Sequence, residues 1–189
     1  SYLSAVSLLE AIEPMTTVVF IVNPNNPTGN YMNKLELLYL LKHLPKNILV
    51  VLDEAYAEYV ETEDYPDSIQ LLKQFSNLII LRTFSKIYGL AGLRLGYAIS
   101  GLEIASSLNL NSLPFRVNAV ALAAAEASIK DQKHVTATRF FNRLGHFQLS
   151  KGLQNLGLKV LPSYTNFLCI DLKSPSWPIY QQLLLYGIS

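Results

Sequence analysis

Leu78-Ile79-Ile80-Leu81-Arg82-Thr83-Phe84-Ser85-Lys86 runs from a short unbroken apolar segment into a Ser/Thr-rich turn that ends in a lysine. An apolar run of that length with no polar alternation reads as a strand covered on both faces. Residues 17–22 and 48–52 have the same form; the first leads into a loop and the second ends at Asp53. That loop, residues 23–30, holds two prolines, one glycine and four asparagines. Residues 93–100, with Gly92 and Gly96 beside them, read as a fourth strand. Helical patterns fall between these segments. Leu3, Val6, Leu9 and Ile12 lie at helical spacing before Pro14; Asn33 is placed to cap a helix with Leu35, Leu38 and Leu41 inward and Pro45 beyond; residues 68–75 read as a short helix. Strands alternating with helices predict an α/β fold with a mostly parallel sheet and helices on both faces.

The texture changes after Ser100. Residues 117–129 form an Ala-rich helical stretch, and residues 135–156 a long amphipathic one ended by Gly157. Residues 166–171 read as a strand, and residues 177–185 as a last helix anchored by Trp177. The chain therefore divides into residues 1–115, part of a large domain, and residues 116–189, a connecting helix with part of a smaller α+β domain.

Half of the 189 residues are hydrophobic and 15% are charged, which supports a large core and argues against disorder. A net charge of +1 gives no general field for nucleic acid or an anionic membrane, and the apolar runs are too short to span a bilayer. The single Cys169 rules out an internal disulfide and fits a cytoplasmic protein. His43, His134 and His146 share no metal-like spacing, so surface or packing roles, and no metal site, are expected. A start at Ser1 without an initiator Met, and a stop at Gly187-Ile188-Ser189, read as a piece of a longer polypeptide.

In open α/β sheets ligands gather outside the carboxyl ends of the strands, where Asn26, Asp53 and residues 83–86 converge. Lys86 becomes nucleophilic only if burial or a neighbouring cation favours its neutral form, and the apolar Leu90-Ala91 and Arg94 supply both. Asp53 suits a ring nitrogen that must stay protonated; the rival reading of Asp53-Glu54 as a metal-binding pair lacks an accompanying phosphate loop. Tyr56 reaches the same ligand if residues 53–56 turn, and Asn26 sits in a turn stiffened by proline. Arg94, Thr83 and Ser85 suit a phosphate. Each residue alone has a bland explanation as a turn or solvated side chain. In this order they converge on pyridoxal 5'-phosphate.

With these residues set out, the chain resembles fold-type I pyridoxal-phosphate enzymes of the aspartate aminotransferase superfamily, and among them the histidinol-phosphate aminotransferase branch. The likeness is strongest at residues 23–29, 50–59 and 81–97. It implies Lys86 as the Schiff-base lysine and proton shuttle, Asp53 at the pyridine nitrogen, Tyr56 and Asn26 at the ring oxygen, and Thr83, Ser85 and Arg94 at the phosphate. It also implies transamination between histidinol phosphate and 2-oxoglutarate in histidine biosynthesis, by a homodimer. These 189 residues lack the family's N-terminal phosphate loop, stacking aromatic and gating arm, and its C-terminal substrate arginine, so by themselves they are expected to bind the cofactor poorly and not to turn over. The same cofactor residues serve phosphothreonine-type decarboxylases, aromatic aminotransferases and the effector domains of some regulators, and a relic without activity would also keep the scaffold.

Overall fold

The computed structural model describes residues 4–188, so the Leu3 position of the first predicted helix lies outside the described residues. Four strands, β1 (Val18–Val22), β2 (Leu49–Asp53), β3 (Leu78–Thr83) and β4 (Gly96–Ser100), form one sheet in the order β1-β2-β3-β4. The first three run parallel, and β4 is antiparallel to β3. The chain between Thr83 and Gly96 carries no crossover helix, which parallel pairing would need. Register brings Val22 opposite Asp53 and Asp53 opposite Leu81, so β1 and β2 end level and β3 runs two residues further, to Thr83. β4 starts later than the sequence predicts, because Ala91–Leu93 forms a 3-10 turn and Arg94 follows it at φ 53°.

One sheet face is sealed by α1 (Ala5–Glu10), α2 (Lys34–His43) and the short α3 (Ser68–Leu71). Alternate strand residues Val19, Ile21, Val50, Leu52, Leu78 and Ile80 meet Ala5, Leu37, Leu40 and Leu41 there. The Asn33 cap forms as expected, its side chain accepting from the amides of Leu35 and Glu36. The predicted inward set is corrected, however: Leu35 is 72% exposed, while Leu37, Leu40, Leu41 and Leu44 are buried. Several helical phases are available in this leucine-rich segment, and packing selects the one that continues through Leu44.

α4 (Leu102–Leu110), which no sequence pattern predicts, follows Gly101 with no side-chain cap and contains two serines, so local signals for it are weak. Its Ala105 and Leu108 share a cavity with Ala98 and Ser100, on the face of β4 opposite to Ile99. α5 (Ala119–Lys130) adds Ala121 and Ala125 to a second cluster with Phe84 and Leu95. Helices thus lie on both faces, although Val18 and Phe20 of β1 remain 39% and 69% exposed. α6 (Gln132–Asn155) starts earlier than predicted because Asp131 caps it, accepting from the His134 amide. It leads to a two-stranded antiparallel sheet, β5 (Lys159–Val160) with β6 (Ile170–Asp171), and to α7 (Ser176–Leu185). Trp177 does not anchor that helix: it is 63% exposed and touches Tyr180 of the same helix. Among the described residues no helix is long and apolar enough to cross a membrane.

Candidate active site

A cavity of about 560 Å³ opens at the carboxyl ends of β2 and β3, and Asp53, Thr83, Ser85, Lys86 and Arg94 line it together. Parallel pairing sets the end of β2 beside Leu81, two residues before the end of β3. Asp53 closes β2, and its Oδ1 accepts from the amide of Ala55, which fixes the carboxylate at the start of the following turn. Thr83 closes β3, and its Oγ1 accepts from the Ser85 amide, so the turn toward Lys86 is tied to its own first hydroxyl. The Phe84 amide donates to the Leu95 carbonyl, the Leu90 amide to the Phe84 carbonyl and the Gly89 amide to the Lys86 carbonyl; these three bonds fold the lysine loop back on β4. Gly96 is required where this loop closes, because a Cβ there would stand 2.8 Å from the Arg82 carbonyl oxygen.

Tyr56 and Asn26 join the same constellation from beneath. The half-buried Lys86 sets its Nζ 5.3 Å from the centre of the Tyr56 ring, within cation–π range. Asn26 Nδ2 donates to the Tyr56 hydroxyl at 3.3 Å. The turn that carries Asn26 is bound internally: the Gly29 amide donates to the Asn25 carbonyl, and Asn25 Nδ2 to Thr28 Oγ1. All seven residues singled out in the sequence therefore meet, directly or through Tyr56, at one edge of the sheet. Arg94 is exposed, with Nη1 donating to the Ala91 carbonyl at 3.1 Å, so its charge has no anionic partner among the described residues.

Several supporting residues went unread in the sequence. Glu54 lies next to Asp53 but points inward, fully buried, and pairs with Arg82. Burial pushes the Glu54 carboxyl up from its ordinary value, against the pull of Arg82. Burial is the largest single influence on the Arg82 guanidinium and works to lower it, but the charge and hydrogen bond of Glu54, with the charge of Glu58, together outweigh it and the net shift is upward. Burial raises Glu58, whose Oε1 lies 3.7 Å from Arg82 Nη1. Asn23, nearly fully buried, clasps Met32 in both directions through its side chain, and its carbonyl accepts from the Tyr65 hydroxyl. The available sequence signal was the charge of Arg82 inside an apolar strand, which demands a buried partner. His134 takes the packing role: its Nε2 donates to the Ile87 carbonyl, next to Lys86.

Residues 3–187 match the model of the family described as aminotransferase class I and II. The chain belongs to that family. It is 46% identical to a histidinol-phosphate aminotransferase of Methylococcus capsulatus over 96% of its own length and 49% of that relative's. Among solved structures, the histidinol-phosphate aminotransferase of Sinorhizobium meliloti in complex with pyridoxal-5'-phosphate is 32% identical, with a TM-score of 0.80 over 85% of this chain and 43% of that one. L-threonine-O-3-phosphate decarboxylase of Porphyromonas gingivalis is 29% identical, with a TM-score of 0.75 over 88% of this chain and 50% of that one. This aminotransferase chain thus spans about half the length of the curated relatives it matches.

Proposed function

We propose that the protein carrying this chain is a pyridoxal-phosphate-dependent aminotransferase that moves an amine between histidinol phosphate and 2-oxoglutarate in histidine biosynthesis. The observation that carries this reading is the single cavity shared by the amine of Lys86, the carboxylate of Asp53 and the guanidinium of Arg94. The donor set fits the cofactor: a guanidinium and two hydroxyls suit a phosphate, a carboxylate suits a protonated ring nitrogen, and an amine suits an aldehyde. Thr83, Ser85 and Arg94 would hold the phosphate, Asp53 the ring nitrogen, Tyr56 and Asn26 the ring oxygen, and Lys86 the aldehyde carbon.

When bound, the cofactor supplies an electron sink for charge developing at the donor's Cα. Asp53 supports that role by keeping a proton at the ring nitrogen. Lys86 Nζ would serve as the general base for the donor's Cα proton and then as the general acid that gives the proton back. Tyr56 lies against Lys86 and would donate its phenol hydrogen to the ring oxygen, while Asn26 Nδ2 donates to the phenol oxygen and holds it in place. A domain division at residues 115/116, supported by the change in sequence pattern after Ser100, a cytoplasmic location, supported by the single Cys169, and a homodimeric assembly, implied by the family resemblance, complete the proposal.

The likeness to a phosphothreonine decarboxylase supports a second reading in which the same cup serves carbon dioxide release. Incubating the complete protein and cofactor with histidinol phosphate, phosphothreonine or phenylalanine, with 2-oxoglutarate present, separates the readings by product. Glutamate formed from histidinol phosphate supports the first. Carbon dioxide from phosphothreonine without glutamate replaces it with the second.

A further inference from the structure

The loop between β5 and β6 is remote in sequence from the cofactor cup, yet it meets the cup twice. The Tyr164 amide donates to the Gly29 carbonyl at 2.7 Å, in the turn that carries Asn26. The Phe167 ring stands edge-on to Tyr56, with centroids 5.3 Å apart and planes at 86°. Tyr56 is 5% exposed, so its ring is bounded by Lys86, Asn26 and Phe167 and has little freedom to turn.

The loop is stiff enough to set that position. Thr165 is fully buried, and its carbonyl accepts from Asn142 Nδ2 of α6 at 3.0 Å. Ser163 Oγ and Thr165 Oγ1 both donate to the Phe167 carbonyl, at 2.6 and 3.2 Å. Gly29 lies against the loop so closely that a Cβ there would stand 2.7 Å from Ser163 Cβ. The segment is therefore lodged between α6, the Asn26 turn and Tyr56.

We propose that Phe167 is a positioning residue, whose ring edge fixes the orientation of Tyr56 and hence the aim of its phenol at the cofactor ring oxygen. This rests on the assignment of Tyr56 to the cofactor under the proposed function. An edge-on aromatic pair prefers one relative orientation, which an aliphatic side chain of similar volume does not impose. Removing the ring then loosens the phenol without removing it. The proton equilibrium of the bound cofactor responds, because a hydrogen bond to the ring oxygen favours one protonation state over the other.

The test uses the complete protein loaded with pyridoxal 5'-phosphate and reads the pH midpoint of the cofactor's visible absorbance, alongside kcat and KM. Phe167→Leu is expected to shift that midpoint and to lower kcat about tenfold, the equivalent of one well-placed interaction, with KM changed less. Phe167→Tyr keeps the ring edge and is expected to stay near the parent values. In a Tyr56→Phe background the Phe167→Leu shift should vanish, since no phenol remains to be aimed. If Phe167→Leu does not fold, Phe167→Met is read in its place. An unshifted midpoint in Phe167→Leu, or a shift that persists in the Tyr56→Phe background, overturns the inference and leaves the function standing. A parent protein with no absorbance band that Lys86→Ala abolishes overturns the function and this inference with it.

Discussion

Arg82 reaches across from β3 to Glu54 at the end of β2, with Nη2 at 2.6 Å and Nε at 3.0 Å from the same carboxylate oxygen, Oε2. The pair stands one residue from Asp53 on one strand and one from Thr83 on the other, so it locks together the two strand ends that supply most of the cup. Buried ion pairs give little net stability over apolar packing, but removing one partner strands the other charge. Arg82→Met alone is therefore expected to cost about 3 kcal/mol. The double variant Arg82→Met with Glu54→Leu should recover most of that loss. Urea denaturation of the complete protein and its two variants measures both; equal losses in the single and double variants would show that the charges are not the issue.

The pH dependence of stability follows from the upward shift of Glu54, which burial causes. In the unfolded chain the carboxyl takes its ordinary value of 4.5, so the folded state holds its proton to higher pH than the unfolded state does. Stability from this group is complete below the unfolded value and is lost as pH rises through the raised folded value. Glu58 shifts in the same direction, again chiefly through burial, and adds to the slope. The exposed Asp64 is shifted downward, first by its bond from Tyr31, and works the other way. Comparing Glu54→Gln with the parent isolates the contribution: the difference in stability between them should move in favour of the variant as pH rises above 4.5. A constant difference across that range would contradict the assignment.

How much of this could be read beforehand depends on the range of the interaction. β1, β2 and β3 were legible because each is a continuous apolar run, and Asp53 and Lys86 because they punctuate such runs. The antiparallel direction of β4 was not legible, since it depends on the missing crossover helix and not on its own residues. Leu35 was misplaced because a leucine-rich helix offers several apolar faces, and only the sheet chooses among them. Glu54–Arg82 and Phe167–Tyr56 join residues 28 and 111 positions apart, beyond any local periodicity.

Arg94 adopts a left-handed backbone, φ 53°, at the end of a 3-10 turn, where an L residue with a side chain is disfavoured. A strained position occupied by a cation at the cavity edge suggests that stability has yielded to binding. Arg94→Gly should relieve the strain and raise stability by up to about 1 kcal/mol. The same change removes the guanidinium proposed to meet the cofactor phosphate, so cofactor affinity should fall by about tenfold or more. Thermal unfolding without cofactor and equilibrium dialysis with it provide the two readouts. A variant that neither gains stability nor loses affinity would remove Arg94 from the phosphate role.

The amine of Lys86 is the group that no neighbour can replace. Ser85 and Thr83 offer hydroxyls, Arg94 offers a guanidinium, and no second lysine lines the cavity among the described residues. Lys86→Ala in the complete protein should abolish the visible absorbance band and lower turnover by about a thousandfold or more. Cofactor held through Arg94 and Asp53 alone should still bind, but more weakly and free to be removed by dialysis. Added methylamine, which can enter the space left by the side chain, is expected to restore part of the rate, as it supplies the missing base without the tether. Full turnover in Lys86→Ala without any added amine would take this residue out of the chemistry and leave the cavity as a binding site only.

The 189 residues by themselves make the most direct test of how far the described cup suffices. Its cavity is open on one side, and Val18, Phe20 and Phe115 expose apolar surface at 39%, 69% and 101%. Apolar surface of that kind favours association over compact monomers. The chain expressed alone is therefore expected to release pyridoxal 5'-phosphate on dialysis, to show no transamination, and to sediment as a mixture of species. The same residues within a protein of the relatives' full length should retain the cofactor under identical dialysis. Retention and turnover by the 189 residues alone would mean that Asn26, Asp53, Tyr56, Lys86 and Arg94 suffice for both binding and chemistry, and that the open side of the cavity needs no covering.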